Sequence, residues 1–139
     1  MCENYEKIEV FIPHQIKSEA NIFKHWGTKH RKKVNLQNTV IIYLKNKYKF
    51  FLPAIITFTR ISSRELEEDN LIYAFKYVKD IVAKIVIEGV EFTSNRPIGS
   101  YDGDPRLKFK YAQKQNKNEP NKILHNGFII TIERKNEIS

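Results

Sequence analysis

The stretch Leu66–Asp80, LEEDNLIYAFKYVKD, places acidic side chains and a lysine at helical spacing. It opens with three consecutive carboxylates, and Lys76 and Asp80 follow them. Carboxylate oxygens are the ligands that Mg²⁺ prefers in proteins, and a nearby lysine can stabilise charge that develops on a phosphate. The residue types therefore suggest a divalent-metal site that acts on a phosphodiester.

Two stripes run along the helix that this stretch predicts. At about 100° per residue, the apolar stripe contains Leu71, Phe75, Val78, Val82 and Ile85. The opposite face of the helix carries Asp69, Tyr73, Lys76 and Asp80. The spacing predicts that the first set is buried and that the second set lies on the face turned away from the core.

Helix capping explains the same acids without a metal. Ser62 and Glu65 have the spacing of a capping box, and acids in a first turn interact favourably with the helix dipole. Lys76 and Asp80 are spaced as an exposed ion pair that would add roughly a few tenths of a kcal/mol. Both interpretations stay open on this stretch alone.

A second acidic group, Asp102 and Asp104, lies in the segment YDGDPRLKF just before a predicted strand. Asp-Gly-Asp-Pro is also ordinary turn chemistry, which is the simpler explanation. However, acids that precede a strand and acids that open a helix can meet at one edge of a sheet. We therefore expect this turn to meet the acids at the helix mouth.

The stretch Lys24–Lys33 is strongly basic in a chain that carries 24 Lys and Arg against 16 Asp and Glu, a net charge of +8. Such a run is often only a solvated face, but in a basic chain it also suits contacts with the phosphates of nucleic acid. Phe23 and Trp26 lie inside or beside it. The candidate phosphate-binding residues are Lys24, Lys29, Arg31, Lys32 and Lys33.

Other site classes receive little support from the sequence. His14, His25, His30 and His125 lack the spacing of a zinc site, and the glycines form no phosphate-binding loop. Glu133 and Lys135 faintly resemble the Glu-x-Lys pair of restriction-endonuclease-like enzymes, with Asp102 or Asp104 upstream. The sole cysteine, Cys2, cannot form an internal disulfide, and we see no signal peptide or membrane span, so we expect a cytoplasmic protein.

The 139 residues predict one α/β (α+β) domain with the element order β-α-β-α-β-β. Strands are predicted over 7–13, 50–62, 106–115 and 127–134, helices over 34–48 and 68–87, and loops over 14–33 and 88–105. Right-handed crossovers would make the first three strands parallel. The last two strands are predicted to form an antiparallel hairpin, which completes a small mixed sheet with two helices packed against it.

Most of the chain resembles the RusA-like Holliday junction resolvases. The resemblance is carried by ANIFKHWGTKHRKK, by ITFTRIS, by the acid-x-Asp-Asn-Leu of LEEDNLIYAFKYVKD, and by YDGDPRLKFKYAQKQNK. It implies that Glu67, Asp69 and Asp102 hold Mg²⁺, with Mn²⁺ as an alternative, that Asp104 supports them, and that Lys76 assists catalysis. It further implies a homodimer that nicks four-way DNA junctions in recombination and repair.

The chain departs from the family pattern at three positions. Glu67 stands where an aspartate is usual, the lysine lies later on the helix than in members that have it at Tyr73, and Tyr101 replaces an acid of the later turn. The segment IEGVEFTSNRPIGS also looks like an insertion before that turn. Two alternatives follow: a branched-DNA-binding module with weakened cleavage, or a nuclease for flaps or forks.

Overall fold

The computed structural model describes residues 7–16, 26–45, 52–89, 100–101, 103–116 and 126–134, with the backbone alone for 26–29. The strands are Lys7–Ile12 (β1), Ala54–Ser62 (β2), Leu107–Gln115 (β3) and Gly127–Arg134 (β4). The helices are Trp26–Leu44 (α1), Glu68–Ala74 (α2) and Lys76–Glu88 (α3). The predicted fold class, a small mixed sheet with helices, is confirmed.

The strands form one four-stranded sheet in the order β1-β4-β2-β3. β2 and β3 are parallel, from the pair Ala54 and Leu107 to the pair Ser62 and Gln115. β4 is antiparallel to both β1 and β2, so the first three strands do point in one direction, as predicted.

The predicted hairpin of the last two strands is wrong, because β4 lies between β1 and β2 and does not pair with β3. Burial explains this placement. In β4, Phe128, Ile130 and Ile132 are fully buried, which suits a central strand. In β3, Lys108 and Lys110 are exposed, and charged side chains of this kind suit an edge strand.

An aromatic cluster joins the helices to the sheet. The rings of Phe58 on β2 and Phe75 at the α2–α3 junction stack with centroids 5.3 Å apart. Phe128 on β4 meets Phe75 edge-on at 5.7 Å, and Tyr111 on β3 lies 5.8 Å from Phe58. Such ring pairs add stability beyond the area that they bury, so this cluster fixes the helices over three strands.

The predicted second helix is interrupted at Phe75, where φ is −92° and ψ is 5°, and so becomes α2 and α3. The apolar stripe is nevertheless confirmed: Leu71, Phe75, Val78, Val82 and Ile85 are all buried. On the opposite face, Asp69, Tyr73 and Lys76 are exposed as predicted.

Two expectations about this region are wrong. Asp80 is buried at 7% exposure, because α1 packs across α3 and all the residues from Asp80 to Val86 are buried. The expected capping box is absent from α2, since its N-cap is Glu67, without a capping side-chain hydrogen bond, and Ser62 is the buried last residue of β2.

Helix α1 begins at Trp26, within the stretch predicted as loop. Leu36, Val40 and Leu44 are buried at helical spacing and anchor the helix to the core. Lys and Arg have good helix propensity, so a helix nucleated by this packing extends backwards through the basic residues. None of the described helices is long and apolar enough to cross a membrane.

Replacing Phe75 with alanine removes the ring at the centre of the aromatic cluster. We expect the free energy of unfolding to fall by about 3–5 kcal/mol, the cost of a buried Phe-to-Ala cavity. Denaturant titration measures it. Ile42→Ala is the control, since Ile42 is 69% exposed and the change there should stay within about 0.5 kcal/mol. Equal losses in the two variants would contradict the central role of Phe75.

Candidate nucleic-acid interface

A groove of about 400 Å³ lies between α1, the α2–α3 junction and the segment that follows β1. Its lining residues come from three separate parts of the chain: His14, Gln15, Ile16, Lys32, Lys33, Asn35, Leu36, Tyr73, Ala74, Lys76 and Tyr77. Three of them are lysines, and none of these described lining residues is acidic. The groove is therefore a positively charged concave surface that contains two aromatic rings.

The wall from α1 carries Lys32 and Lys33 above the buried Leu36. The Lys33 Nζ lies 5.3 Å from the centroid of the Tyr77 ring, a cation–π distance that favours this lysine conformation. The backbone carbonyl of Tyr77 accepts a hydrogen bond of 3.1 Å from Gln37 Nε2, so α1 and α3 are also joined behind the groove. The cation–π contact holds Lys33 beside the aromatic wall, and the hydrogen bond fixes α1 against α3.

The wall from the α2–α3 junction carries Tyr73, Lys76 and Tyr77, which share one face because they are three and four residues apart. Tyr73 is 46% exposed. Asp69 is also exposed and lies one helical turn before Tyr73, so it continues this face beyond the groove. Lys76 thus lines the groove, whereas Asp69 lies on α2, one turn beyond the lining residue Tyr73.

The third wall, His14 to Ile16, is held in place by a buried arginine of β2. Arg60 is only 5% exposed, and its Nε donates a hydrogen bond of 2.7 Å to the carbonyl of Ile16. Its Nη1 donates to the carbonyl of Arg64, in the loop that leads to α2. Burial lowers the pKa of Arg60, although arginine stays protonated in proteins.

His14 contributes a neutral polar edge to the groove. Partial burial lowers the pKa of His14 from its ordinary value, so the ring carries little charge at neutral pH. A neutral imidazole presents one donor and one acceptor. The fixed positive charge of the groove therefore comes from its lysines.

The acids that open the second helical region lie beside the far end of β3. Leu66 N donates a hydrogen bond of 2.8 Å to Gln113 Oε1, and Gln113 Nε2 donates one of 2.8 Å to Leu66 O. Glu67 follows with extended backbone, and both Glu67 and Asp69 are exposed. These two candidate metal ligands are anchored through Gln113 near the end of the strand.

Asp104 lies at the opposite end of the sheet. Its two carboxylate oxygens accept hydrogen bonds of 3.0 and 2.7 Å from the Arg106 side chain, and these contacts raise the pKa of Arg106. The Arg106 carbonyl in turn accepts from Ala54 N, at the start of β2. Arg106 and Gln113 are seven residues apart, and at about 3.3 Å per residue the two ends are roughly 23 Å apart.

The expected meeting of the two acidic groups is therefore not found at Asp104. The reason is topological: β2 and β3 are parallel neighbours, so the residues that follow β2 and the residues that precede β3 lie at opposite ends of the strands. In the described part of the chain, no three His, Cys, Asp or Glu side chains come close enough to hold a metal ion. These described residues do not assemble the expected Mg²⁺ site, and Asp102 lies outside them.

The remaining predicted residues are distributed as follows. Lys24 lies outside the described residues, and Lys29 is described by its helical backbone alone. Arg31 is exposed on α1 without being among the groove-lining residues, whereas Lys32 and Lys33 line it. Glu133 is a partly buried residue of β4, and its suggested partner Lys135 lies outside the described residues.

Among the polar and aromatic groove residues, sequence reasoning missed His14, Gln15, Asn35 and Tyr77. The four-residue spacing of Tyr73 and Tyr77 was a usable signal for the aromatic wall. No local pattern identifies His14 or Gln15, because their position depends on the distant Arg60. A tertiary contact of this kind leaves no periodicity in the sequence.

Comparison with known proteins adds no relative, since no protein-family model, no curated protein and no solved structure matches this chain significantly. Function is therefore inferred from the groove and from the candidate residues themselves.

Replacing Arg60 with alanine removes both hydrogen bonds that hold the third wall. We expect the free energy of unfolding to fall by about 1.5–3 kcal/mol, the range for hydrogen bonds to a charged group. Thermal or denaturant unfolding measures the loss. Arg64→Ala is the matched control, because the Arg64 side chain is exposed while its carbonyl is retained. If both arginine variants lose the same stability, Arg60 does not support the wall.

Proposed function

We propose that this protein binds DNA through the groove, with branched DNA as its target. The observation that carries the proposal is the convergence of Lys32, Lys33 and Lys76 on a concave surface whose described lining contains no acid. The chain as a whole carries a net charge of +8, which favours association with a polyanion. Lysines that follow a groove are suited to the phosphate backbone, where most of the binding energy is electrostatic.

The aromatic residues of the groove favour nucleic acid over other polyanions. Grooves that bind exposed strands combine cations for the phosphates with aromatic rings for the bases. Tyr73, 46% exposed beside Lys76, supplies such a ring. The preference for branched DNA is supported by the resemblance to junction resolvases, and we place the protein in the cytoplasm, where such DNA is accessible.

The salt dependence of binding tests the groove. Each lost phosphate contact should flatten the slope of log K against log[salt] by about 0.9 on duplex DNA. The double variant Lys32→Ala/Lys33→Ala should therefore flatten it by roughly 1.8 in fluorescence anisotropy titrations. Lys108→Ala/Lys110→Ala removes the same charge from the exposed face of β3 and should leave the slope unchanged. Equal flattening by both pairs would mean that binding is not localised to the groove.

A second candidate function is the nicking of four-way junctions by a divalent-metal-dependent endonuclease. It is favoured by the exposed positions of Asp69 and Lys76 on the helix face that also carries Tyr73. The proposal needs a third carboxylate beside Glu67 and Asp69, and the resemblance implies Asp102 for that role. Asp104, only two residues along the chain, lies at the opposite end of β3 from these acids, so the described residues favour DNA binding over cleavage. Because a four-way junction offers two equivalent strands, we propose a two-fold homodimer for this activity.

Incubation with a labelled four-way junction and with linear duplex, with and without Mg²⁺ or Mn²⁺, tests cleavage. We expect metal-dependent nicks in the junction and none after Asp69→Asn, which removes charge at nearly constant shape. Junction binding by this variant should be unchanged or tighter, because repulsion between carboxylate and phosphate falls. Glu65→Gln, at an exposed acid before α2, should still nick. Junction binding without any nick by the unaltered protein would leave DNA binding as the function.

A further inference from the structure

The groove has the size of a small-ligand site. Its volume of about 400 Å³ falls within the range of roughly 300–1,000 Å³ that is usual for pockets that bind small molecules. A double helix does not fit into such a cavity, but a single nucleotide does. Lysines from α1 and α3 line the groove together with apolar groups from Ile16, Leu36 and Ala74.

From these features we infer that the groove receives one unpaired nucleobase of the bound DNA, with its ring stacked on Tyr73 and its flanking phosphates on Lys32, Lys33 and Lys76. The inference rests on the proposed DNA binding and names the part of the DNA that the groove recognises.

Tyr73 is the natural stacking surface of the two tyrosines. The Tyr77 ring already has the Lys33 ammonium 5.3 Å from its centroid, so one of its faces is in use. Tyr73 is 46% exposed and lies one turn before Tyr77. Every base has a π-face, so stacking of this kind tolerates any base.

The polar side chains of the groove are suited to the edge of a base. Asn35 from α1 and Gln15 from the segment after β1 each offer an amide donor and an amide acceptor. The neutral ring of His14 adds one more donor and acceptor. Amides can present either their oxygen or their nitrogen, so these contacts accept several bases, and we expect little sequence preference.

This site gives a physical reason for a preference for branched DNA. Extruding a paired base costs a few kcal/mol, and the cost is least for a base that is already unpaired. Bases at a branch point, a bulge or a single-stranded end are therefore admitted more easily than bases within a continuous duplex. The groove would distinguish these structures without reading a sequence.

The decisive comparison uses two labelled duplexes, one with a single-nucleotide bulge and the other with an abasic residue at the same bulge. Both carry the same phosphates, so a difference in affinity reports the base. We expect the protein to bind the base-containing bulge about 5- to 150-fold more tightly, the range for one stacked base. Tyr73→Ala should abolish this ratio, and Tyr73→Phe, which keeps the ring, should retain it.

Tyr43→Ala is the matched control, because Tyr43 on α1 is 37% exposed and is not among the groove-lining residues. It should keep the full ratio, and a thermal melt should show that all three variants are folded. Equal affinity for both bulges, or a ratio that survives Tyr73→Ala, would overturn the nucleobase site while DNA binding stands. Absence of binding to either duplex would overturn the proposed function together with this inference.

Discussion

The parallel ladder between β2 and β3 is the constraint on which the rest of the structure depends. A parallel pair needs a crossover connection, so α2 and α3 must run back along the sheet from the end of β2 to the start of β3. The aromatic cluster around Phe58 and Phe75 then fixes these helices over the strands. The same ladder separates Glu67 from Asp104 by the length of a strand. It also places the helix face that carries Tyr73 and Lys76 next to α1.

One wall of the groove depends on the buried guanidinium of Arg60, which joins two segments that are distant in sequence. A buried guanidinium is costly unless its donors find partners, and Arg60 meets this requirement with the carbonyls of Ile16 and Arg64. The same two hydrogen bonds also fix the positions of the segments that contain Ile16 and Arg64. The groove therefore owes one wall to a residue that does not line it, while its other two walls are positioned by the packing of α1 on α3.

The parts of this fold that follow from local periodicity could be predicted from the sequence. The stripe of Leu71, Phe75 and Val82 obeys the helical period and is buried, and the strands lie close to their predicted ranges. The start of α1, the burial of Asp80 and the central place of β4 all depend on packing between distant elements, which no local pattern encodes. The same holds for the site. The basic run identified Lys32 and Lys33, and helical spacing identified Lys76, whereas the position of His14 depends on the distant Arg60.

The lysines of β3 also affect whether this sheet can pair with a strand of another polypeptide. β3 is an edge strand, and an edge presents unpaired N–H and C=O groups that can template a strand from another chain. Lys108, Lys110 and Lys114 are exposed along it, so a second copy aligned there would bring like charges together. The strand thus combines an apolar row, which the core requires, with a cationic row that discourages aggregation.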